Sequence, residues 1–97
     1  PAFTKSRNSI KNAVRGYREI NLRAMKLVKD RGFLATCSCS HFMDYELFTQ
    51  TIGQAARNAH KRLRQVEFRT QAADHPILWG AGDSYYLKFY IFQVCEE

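Results

Sequence analysis

Apolar residues recur at steps of three and four along the first third of the chain, which is the spacing of one face of an α-helix. The stripe comprises Ile10, Ala13, Val14, Tyr17, Asn21, Ala24, Met25 and Val28. Ser9 is suited to cap the start of this helix, and Gly32 to the left-handed position just beyond its end. We therefore predict a helix from about residue 10 to residue 30, preceded by a loop at residues 1–8.

The pattern then changes to a short apolar run and returns to helical spacing. Residues 33–38 are mostly apolar and directly follow a glycine, which predicts a buried β-strand. Asp44 is a suitable N-cap for a second helix. The apolar face of that helix comprises Leu47, Phe48, Ile52, Ala55, Ala56, Ala59 and Leu63. Its small alanines allow close packing on a sheet.

Two further segments have the character of strands. Residues 65–71 alternate, with Val66, Phe68 and Thr70 on one face and polar residues on the other, which predicts a half-exposed edge strand. Residues 85–95 are apolar on both faces, which predicts a central strand covered on both sides. The connection between them, residues 72–84, is long for so small a domain, and such loops are more often functional than idle.

These elements predict an α/β fold formed by one domain over residues 1–97. The strand-helix-strand portion implies a parallel pair joined by a right-handed crossover. The last strand follows through a loop alone and can run antiparallel between the other two, so the expected order is first, third, second. The first strand then lies at an edge with unpaired backbone groups.

The charge balance points to an anionic partner. Fifteen Lys and Arg residues against nine Asp and Glu give a net charge of +6, which favours RNA as the partner of a cytoplasmic domain. A solvated basic surface is the alternative. No apolar run approaches the roughly 20 residues of a membrane span, so no membrane association is expected. Three cysteines, two of them one residue apart, argue against a disulfide framework and favour a reducing cytoplasm.

Residues 34–41 begin as an apolar strand and end in hydroxyls, two thiols and an imidazole. The carboxyl end of a buried strand is where an α/β protein places a nucleophile, and a thiol is a strong one. A buried structural thiol is the alternative. A metal site at Cys37, Cys39 and His41 is disfavoured because the spacing is not that of a zinc site. Cys95 is expected to be inert.

Several short pieces occur in a fixed order along the chain. They are Pro1-Ala2-Phe3, Arg15-Gly16-Tyr17-Arg18-Glu19-Ile20-Asn21, Ser38-Cys39-Ser40, Gln71-Ala72-Ala73-Asp74-His75-Pro76 and Tyr86-Leu87-Lys88. The first is similar to the end of an Asp-Pro-Pro-x-Phe motif. Together they resemble the bacterial 23S ribosomal RNA methyltransferases of the RlmI type, which form 5-methylcytosine with S-adenosylmethionine. The resemblance implies the carboxyl-terminal portion of a Rossmann-like class I methyltransferase domain, whose last three strands lie in the order five, seven, six.

The resemblance also implies a catalytic residue. The nucleophile of the family lies seven residues after the glycine that opens the strand, and counting from Gly32 gives Cys39. A thiolate that adds to C6 of cytosine makes C5 nucleophilic enough to take a methyl group, and the base must first leave its stack. Cys37 falls where the family has an apolar residue, so it is expected to serve in packing.

Further candidate site residues lie within the short pieces that carry the resemblance. Asp74 and His75 are candidates for the target-base pocket or for proton movement, with a turn stabilised by Asp74 as the alternative. Arg15 and Arg18 are candidates for RNA phosphates, with a solvated basic helix face as the alternative. Phe3 is assigned to the substrate. Pro1, the tail of the Asp-Pro-Pro motif, is assigned to the cofactor.

One sequence motif of the family, the glycine-rich cofactor loop, has no counterpart in the chain. The sequence contains no glycine-rich loop between a first strand and its helix, and Gly80-Ala81-Gly82 instead precedes the last predicted strand. We therefore expect the chain alone to bind S-adenosylmethionine poorly and to be inactive. The alternative function is a non-catalytic RNA-binding module, or a module that self-associates through its exposed strand edge.

Overall fold

The computed structural model describes residues 7–40, 42–70 and 87–97, with the side chain of Arg7 excepted. Two helices and three strands follow one another along the chain. They are α1 (Arg7–Leu27), β1 (Gly32–Ser38), α2 (Tyr45–Ala59), β2 (Lys61–Arg69) and β3 (Lys88–Glu96). The predicted order of helices and strands is therefore confirmed, while the long connection at residues 72–84 lies outside the described residues.

The three strands form one sheet in the order β1-β3-β2. β3 pairs antiparallel with both of its neighbours, so β1 and β2 run in the same direction. This is the predicted arrangement, in which a parallel pair joined through a helix is separated by the last strand. It places the carboxyl end of β1 beside the start of β3, with Ser38 opposite Lys88.

One face of the sheet is covered by the two helices. The core comprises Met25, Met43, Phe48, Ile52, Ala55, Ala56, Ala59, Tyr90, Phe92 and Val94. Tyr90 of β3 stacks on Phe48 of α2 with ring centroids 6.1 Å apart, and its hydroxyl shares a hydrogen bond with Thr49 at 2.7 Å. The alanine-rich face of α2 is buried as predicted, because small side chains allow a close approach.

The prediction that β3 is covered on both faces is correct for one face only. Its burial alternates strictly, with Lys88, Tyr90, Phe92 and Val94 buried and the residues between them half-buried. On the opposite face the side chain of Phe33 in β1 is 64% exposed. Among the described residues both helices lie on the same side of the sheet. A strand with apolar residues on both faces is therefore not necessarily covered by helices on both faces.

The limits of α1 differ from the prediction at both ends. The helix begins at Arg7, so Ser9 lies in its first turn and is not the N-cap. It ends at Leu27, and the left-handed residue before β1 is Arg31, with a φ of 69°. Gly32 is instead the first residue of β1. A Cβ at Gly32 would lie 2.6 Å from Cγ1 of Val28, so close packing explains this glycine.

The transition from α2 to β2 comes earlier than predicted. His60 adopts a left-handed conformation, with a φ of 58° and a ψ of 45°, and its N–H donates to the carbonyls of Ala56 and Arg57. The helix therefore ends at Ala59, and Leu63 belongs to β2 and not to α2. The N-cap was predicted correctly: Oδ1 of Asp44 accepts a hydrogen bond from the N–H of Leu47 at 2.8 Å.

A β-bulge in β2 changes the predicted faces of that strand. The register with β3 shifts between Gln65 and Glu67, so Val66 is an extra residue without an opposite partner. Leu63 and Phe68 consequently face the same side although they are five positions apart, opposite Val94 and Tyr90 of β3. Val66 itself is 56% exposed, and the prediction that it shares a face with Phe68 is wrong.

Candidate functional site

The segment after β1 presents a thiol between two buried hydroxyls. Ser38 and Ser40 are each 2% exposed, whereas the Cys39 between them is exposed. The alternation of the strand thus continues for two residues beyond its end. An exposed Cys39 contradicts the interpretation of this residue as a buried structural thiol, and it leaves the sulfur accessible to a reactant.

Hydrogen bonds hold the backbone on both sides of Cys39. The hydroxyl of Ser38 donates to the hydroxyl of Tyr17 at 3.1 Å and accepts from the N–H of Ser40 at 3.3 Å. The hydroxyl of Ser40 accepts from the N–H of Phe42 at 3.2 Å, and its carbonyl accepts from the N–H of Met43 at 3.3 Å. We call residues 38–40, with these contacts, the Cys39 turn.

A buried lysine lies beneath the Cys39 turn. The side chain of Lys88 is fully buried, and its Nζ donates to the carbonyl oxygen of Ser40 at 2.7 Å. Burial lowers the pKa of Lys88, while attraction to Asp44 and to Cys39 acts in the opposite direction. Sequence reasoning assigned no role to this residue. The available signal was a lysine in the strand row that otherwise consists of Tyr90, Phe92 and Val94.

Tyr17 approaches the same turn from α1. Its ring meets Phe48 edge to face at a centroid distance of 6.1 Å. Burial raises the pKa of Tyr17, the hydrogen bond from Ser38 lowers it, and the charges of Cys39 and Cys37 raise it. The helical stripe correctly predicted that Tyr17 faces inward. What its hydroxyl meets depends on a residue 21 positions away, for which the sequence carried no signal.

The other two cysteines occupy different surroundings. Cys37 is exposed and pairs with Phe89 of β3, on the sheet face away from the helices. The expectation that Cys37 serves in core packing is therefore wrong in this structure. Cys95 is half-buried near the end of β3. Within residues 7–40, 42–70 and 87–97, no three His, Cys, Asp or Glu residues could hold a metal ion, and His41 lies outside those ranges.

The basic residues predicted to bind RNA lie on α1. Arg15 is exposed, and Arg18 is half-buried in a cleft of about 320 Å³ between the two helices. The side chains around Arg18 in this cleft include Gln50, Gln54 and Arg57 of α2. In this cleft Arg18 lies beside polar side chains of α2. The remaining candidates, Pro1, Phe3, Asp74 and His75, lie outside the described residues.

A second group of arginines lies at the end of the sheet opposite the Cys39 turn, where β1 and β2 begin and β3 ends. Arg31, Arg62 and Arg64 line a cleft of about 370 Å³ together with Asp30 and Glu96. The two carboxylates offset part of the positive charge, so this cleft is less basic than its arginines alone suggest. Neither α1 nor α2, the helices of the described part, is long and apolar enough to cross a lipid bilayer.

Comparison with known proteins gives close relatives in sequence. No family model matches the chain. A protein of Methanocaldococcus jannaschii, provisionally named ribosomal RNA large subunit methyltransferase, is 43% identical over 94 residues. The ribosomal RNA large subunit methyltransferase I of Aliivibrio fischeri is 39% identical over 94 residues, and that of Alteromonas mediterranea is 35% identical over 97 residues. These alignments cover 97% to 100% of the chain.

A solved structure shares the fold. It is a crystal structure of a protein provisionally described as a methyltransferase, in complex with SAH. The two superpose with a TM-score of 0.74 over 82% of this chain and 20% of the other, at 12% sequence identity. Identity this low shows the fold alone. The predicted α/β fold, as part of a methyltransferase fold, is confirmed.

The chain spans about a quarter of the length of the curated relatives it matches, 24% in each of the three. The resemblance inferred from the sequence is confirmed by these relatives. Over essentially its whole length, the chain is homologous to one portion of the proteins named ribosomal RNA large subunit methyltransferase I.

Proposed function

We propose that the chain is the carboxyl-terminal part of the catalytic domain of an S-adenosylmethionine-dependent methyltransferase that forms 5-methylcytosine in 23S ribosomal RNA. Cys39 is the covalent nucleophile. The observation that carries this proposal is the exposed Cys39 at the end of β1, held between the buried Ser38 and Ser40. The names of the relatives support large-subunit ribosomal RNA as the substrate. The SAH in the structural neighbour supports S-adenosylmethionine as the methyl donor.

The chemistry requires a nucleophile because C5 of cytosine does not attack a methyl donor unaided. The thiolate of Cys39 forms a bond to C6, and the electron pair of the C5–C6 double bond moves toward C5. C5 then takes the methyl group as the bond between the methyl carbon and the sulfonium sulfur of the donor breaks and SAH is released. A base removes the proton from C5, the double bond re-forms and the thiolate leaves. The target base reaches Cys39 only after it has left its stack, and the exposure of Cys39 suits such an approach.

The methyl donor is not accounted for by the described residues. The sequence contains no glycine-rich loop between a strand and its helix. We therefore assign the donor site mainly to a part of the protein other than this chain, with Pro1 at its border. Phe3, Asp74 and His75 remain proposed neighbours of the target base. Calorimetry of the 97-residue chain with SAH tests this assignment, and tight binding contradicts it.

The net charge of +6 supports RNA as the partner, with Arg15 and Arg18 as phosphate contacts. Such contacts make binding fall as salt concentration rises, because counterions released from the RNA compete with the protein. The expected compartment is the cytoplasm. Double replacement of Arg15 and Arg18 by Gln should weaken RNA binding and flatten its dependence on salt. An unchanged salt dependence argues for a merely solvated helix face.

The test of the nucleophile uses the complete protein that contains the chain. Cys39→Ala should abolish 5-methylcytosine formation, measured by mass spectrometry of digested ribosomal RNA. Cys37→Ala is the matched control, two residues away in the same segment, and should retain activity. RNA with 5-azacytidine at the target position should form a lasting adduct at Cys39, because the ring nitrogen has no proton whose removal would release the thiol. Retained methylation by Cys39→Ala rejects the proposal.

The second candidate is a non-catalytic module that self-associates through β1. It is supported by Phe33, which is 64% exposed, and by the edge position of β1 in the described sheet. Light scattering of the chain alone distinguishes the two candidates. Two results together would favour the module. The chain would form a concentration-dependent dimer that Phe33→Lys dissociates. RNA binding by the complete protein would be unaffected by Cys39→Ala and by S-adenosylmethionine.

A further inference from the structure

Lys88 is unusual in its burial. Among the residues that the structure describes, it is the only Lys, Arg, Asp or Glu that is buried. Its neighbours in the same row of β3 are Tyr90, Phe92 and Val94, which form part of the core. Burial of an ammonium group is costly even when it is hydrogen-bonded. A methionine fills a similar volume without that cost, so the charge at this position points to a role beyond packing.

The contacts of Lys88 lead to the residues on either side of Cys39. In the register of β1 and β3, Lys88 lies opposite Ser38. Its Nζ donates to the carbonyl oxygen of Ser40 at 2.7 Å. Ser38 is the residue before Cys39 and Ser40 is the residue after it. The central strand therefore holds both ends of the short segment that bears the thiol.

The charged and titratable groups around Lys88 come from three elements. Asp44, at the start of α2, and Cys39, in the turn, both attract the ammonium. Tyr17 of α1 faces the same turn through Ser38 and also interacts electrostatically with Cys39. Of these residues, Lys88 is the basic one, and a hydrogen bond joins its Nζ to the Cys39 turn.

We infer that Lys88 is a positioning residue for Cys39, whose ammonium holds the Ser40 carbonyl and thereby fixes the turn that bears the thiol. The hydrogen bond fixes the path of the backbone, so the thiol keeps one outward orientation. The inference rests on the proposed function only for the identity of Cys39 as the nucleophile.

The test compares Lys88→Met with Lys88→Arg in the complete protein. The first readout is the rate of alkylation of each cysteine by iodoacetamide at a fixed pH, followed by mass spectrometry of the peptides. Lys88→Met should slow alkylation of Cys39 about tenfold, because the turn no longer holds the thiol in one outward orientation. Lys88→Arg keeps the charge and a donor, so it should restore most of the rate. Cys37 should react unchanged in both variants.

The second readout is methyl transfer. Lys88→Met should lower kcat about 10- to 100-fold, because the thiol loses its orientation, while the KM for RNA stays near the wild-type value. The inference is overturned if Lys88→Met changes neither methyl transfer nor the alkylation of Cys39. If Cys39→Ala abolishes methyl transfer in the same experiment, the proposed function remains intact. Activity retained in Cys39→Ala rejects the proposed function, while the alkylation readout still tests the contact itself.

Misfolding of Lys88→Met would be recognised by altered alkylation of Cys37 and Cys95. In that case the inference is tested by a measurement that leaves Lys88 in place. Nζ of Lys88 is observed by ¹⁵N NMR in the wild type. A scalar coupling across the hydrogen bond to the carbonyl carbon of Ser40 should be present. Its absence overturns the inference.

Discussion

The hydroxyl of Ser38 donates a hydrogen bond to the hydroxyl of Tyr17 at 3.1 Å, which ties the carboxyl end of β1 to the middle of α1. Ser38 is 2% exposed, so water does not readily replace a lost partner. Tyr17→Phe should therefore lower the free energy of unfolding by about 1 kcal/mol, as expected for one buried hydroxyl left without its acceptor. Urea denaturation of the two proteins measures the difference.

Tyr45→Phe is the matched control for this change. Tyr45 is 44% exposed, so loss of its hydroxyl should alter the free energy of unfolding by less than about 0.5 kcal/mol. Equal destabilisation by the two substitutions would show that the contact between Ser38 and Tyr17 adds no specific stability.

The shifted pKa values of Tyr17 and Lys88 predict opposite trends in the free energy of unfolding at alkaline pH. Burial raises the pKa of Tyr17 above the usual 10.0, so the folded state keeps this proton longer than the unfolded state does. Its contribution to stability is complete below pH 10 and is lost as pH rises through the raised value. Burial lowers the pKa of Lys88 below the usual 10.5. Its contribution is present above that value and is lost as pH falls through the lowered one.

Thermal unfolding at several alkaline pH values should separate the two contributions. Relative to the wild type, Tyr17→Phe should lose less stability as pH rises above 10, because position 17 then has no phenol whose ionisation stabilises the unfolded state. Lys88→Met should lack the gain in stability that the wild type shows as the buried ammonium releases its proton. Parallel stability curves for wild type and variants would contradict both assignments.

Two glycines predict opposite effects of the same substitution. A Cβ at Gly16, within α1, would meet no atom of the described residues within 4 Å beyond the backbone of its own helix, so Gly16→Ala should stabilise the chain by about 1 kcal/mol through helix propensity. A Cβ at Gly32 would lie 2.6 Å from Cγ1 of Val28 and 2.9 Å from the backbone oxygen of Lys29. Gly32→Ala should therefore destabilise by about 1–3 kcal/mol.

Chemical denaturation of both alanine variants under one condition provides the comparison. The direction of each effect is the decisive quantity, because both substitutions add the same methyl group. A stabilised Gly32→Ala variant would show that the contact with Val28 relaxes easily. A destabilised Gly16→Ala variant would indicate a close neighbour of Gly16 elsewhere in the protein.

The N-cap of α2 gives a further prediction. Oδ1 of Asp44 accepts from the N–H of Leu47 at 2.8 Å, so Asp44→Ala should cost about 1 kcal/mol of stability. Asp44→Ser keeps a capping oxygen and should recover most of this loss. Because Asp44 also attracts Lys88, both variants should lower the pKa of Lys88 further. A stability of Asp44→Ser equal to that of Asp44→Ala would assign the effect to charge and not to capping.

The sequence by itself determined the order of the elements, the arrangement of the sheet and the position of the candidate nucleophile. Helical spacing, a capping aspartate and an apolar last strand are local properties, and they sufficed to predict the order β1-β3-β2. The family resemblance, counted from Gly32, gave Cys39 as the candidate nucleophile. The exposure of this residue in the structure shows only that its thiol is not buried.

Only the tertiary structure decided the features that depend on partners distant in the chain. The bulge at Val66 is set by its register with β3, so the alternation of β2 alone predicted the wrong face. The hydrogen bond from Lys88 to Ser40 joins residues 48 positions apart, and that from Ser38 to Tyr17 spans 21 positions. Periodicity predicts which way a side chain faces, whereas the atom it meets depends on how separate elements pack. The buried charge beneath Cys39 is therefore a property of the folded chain.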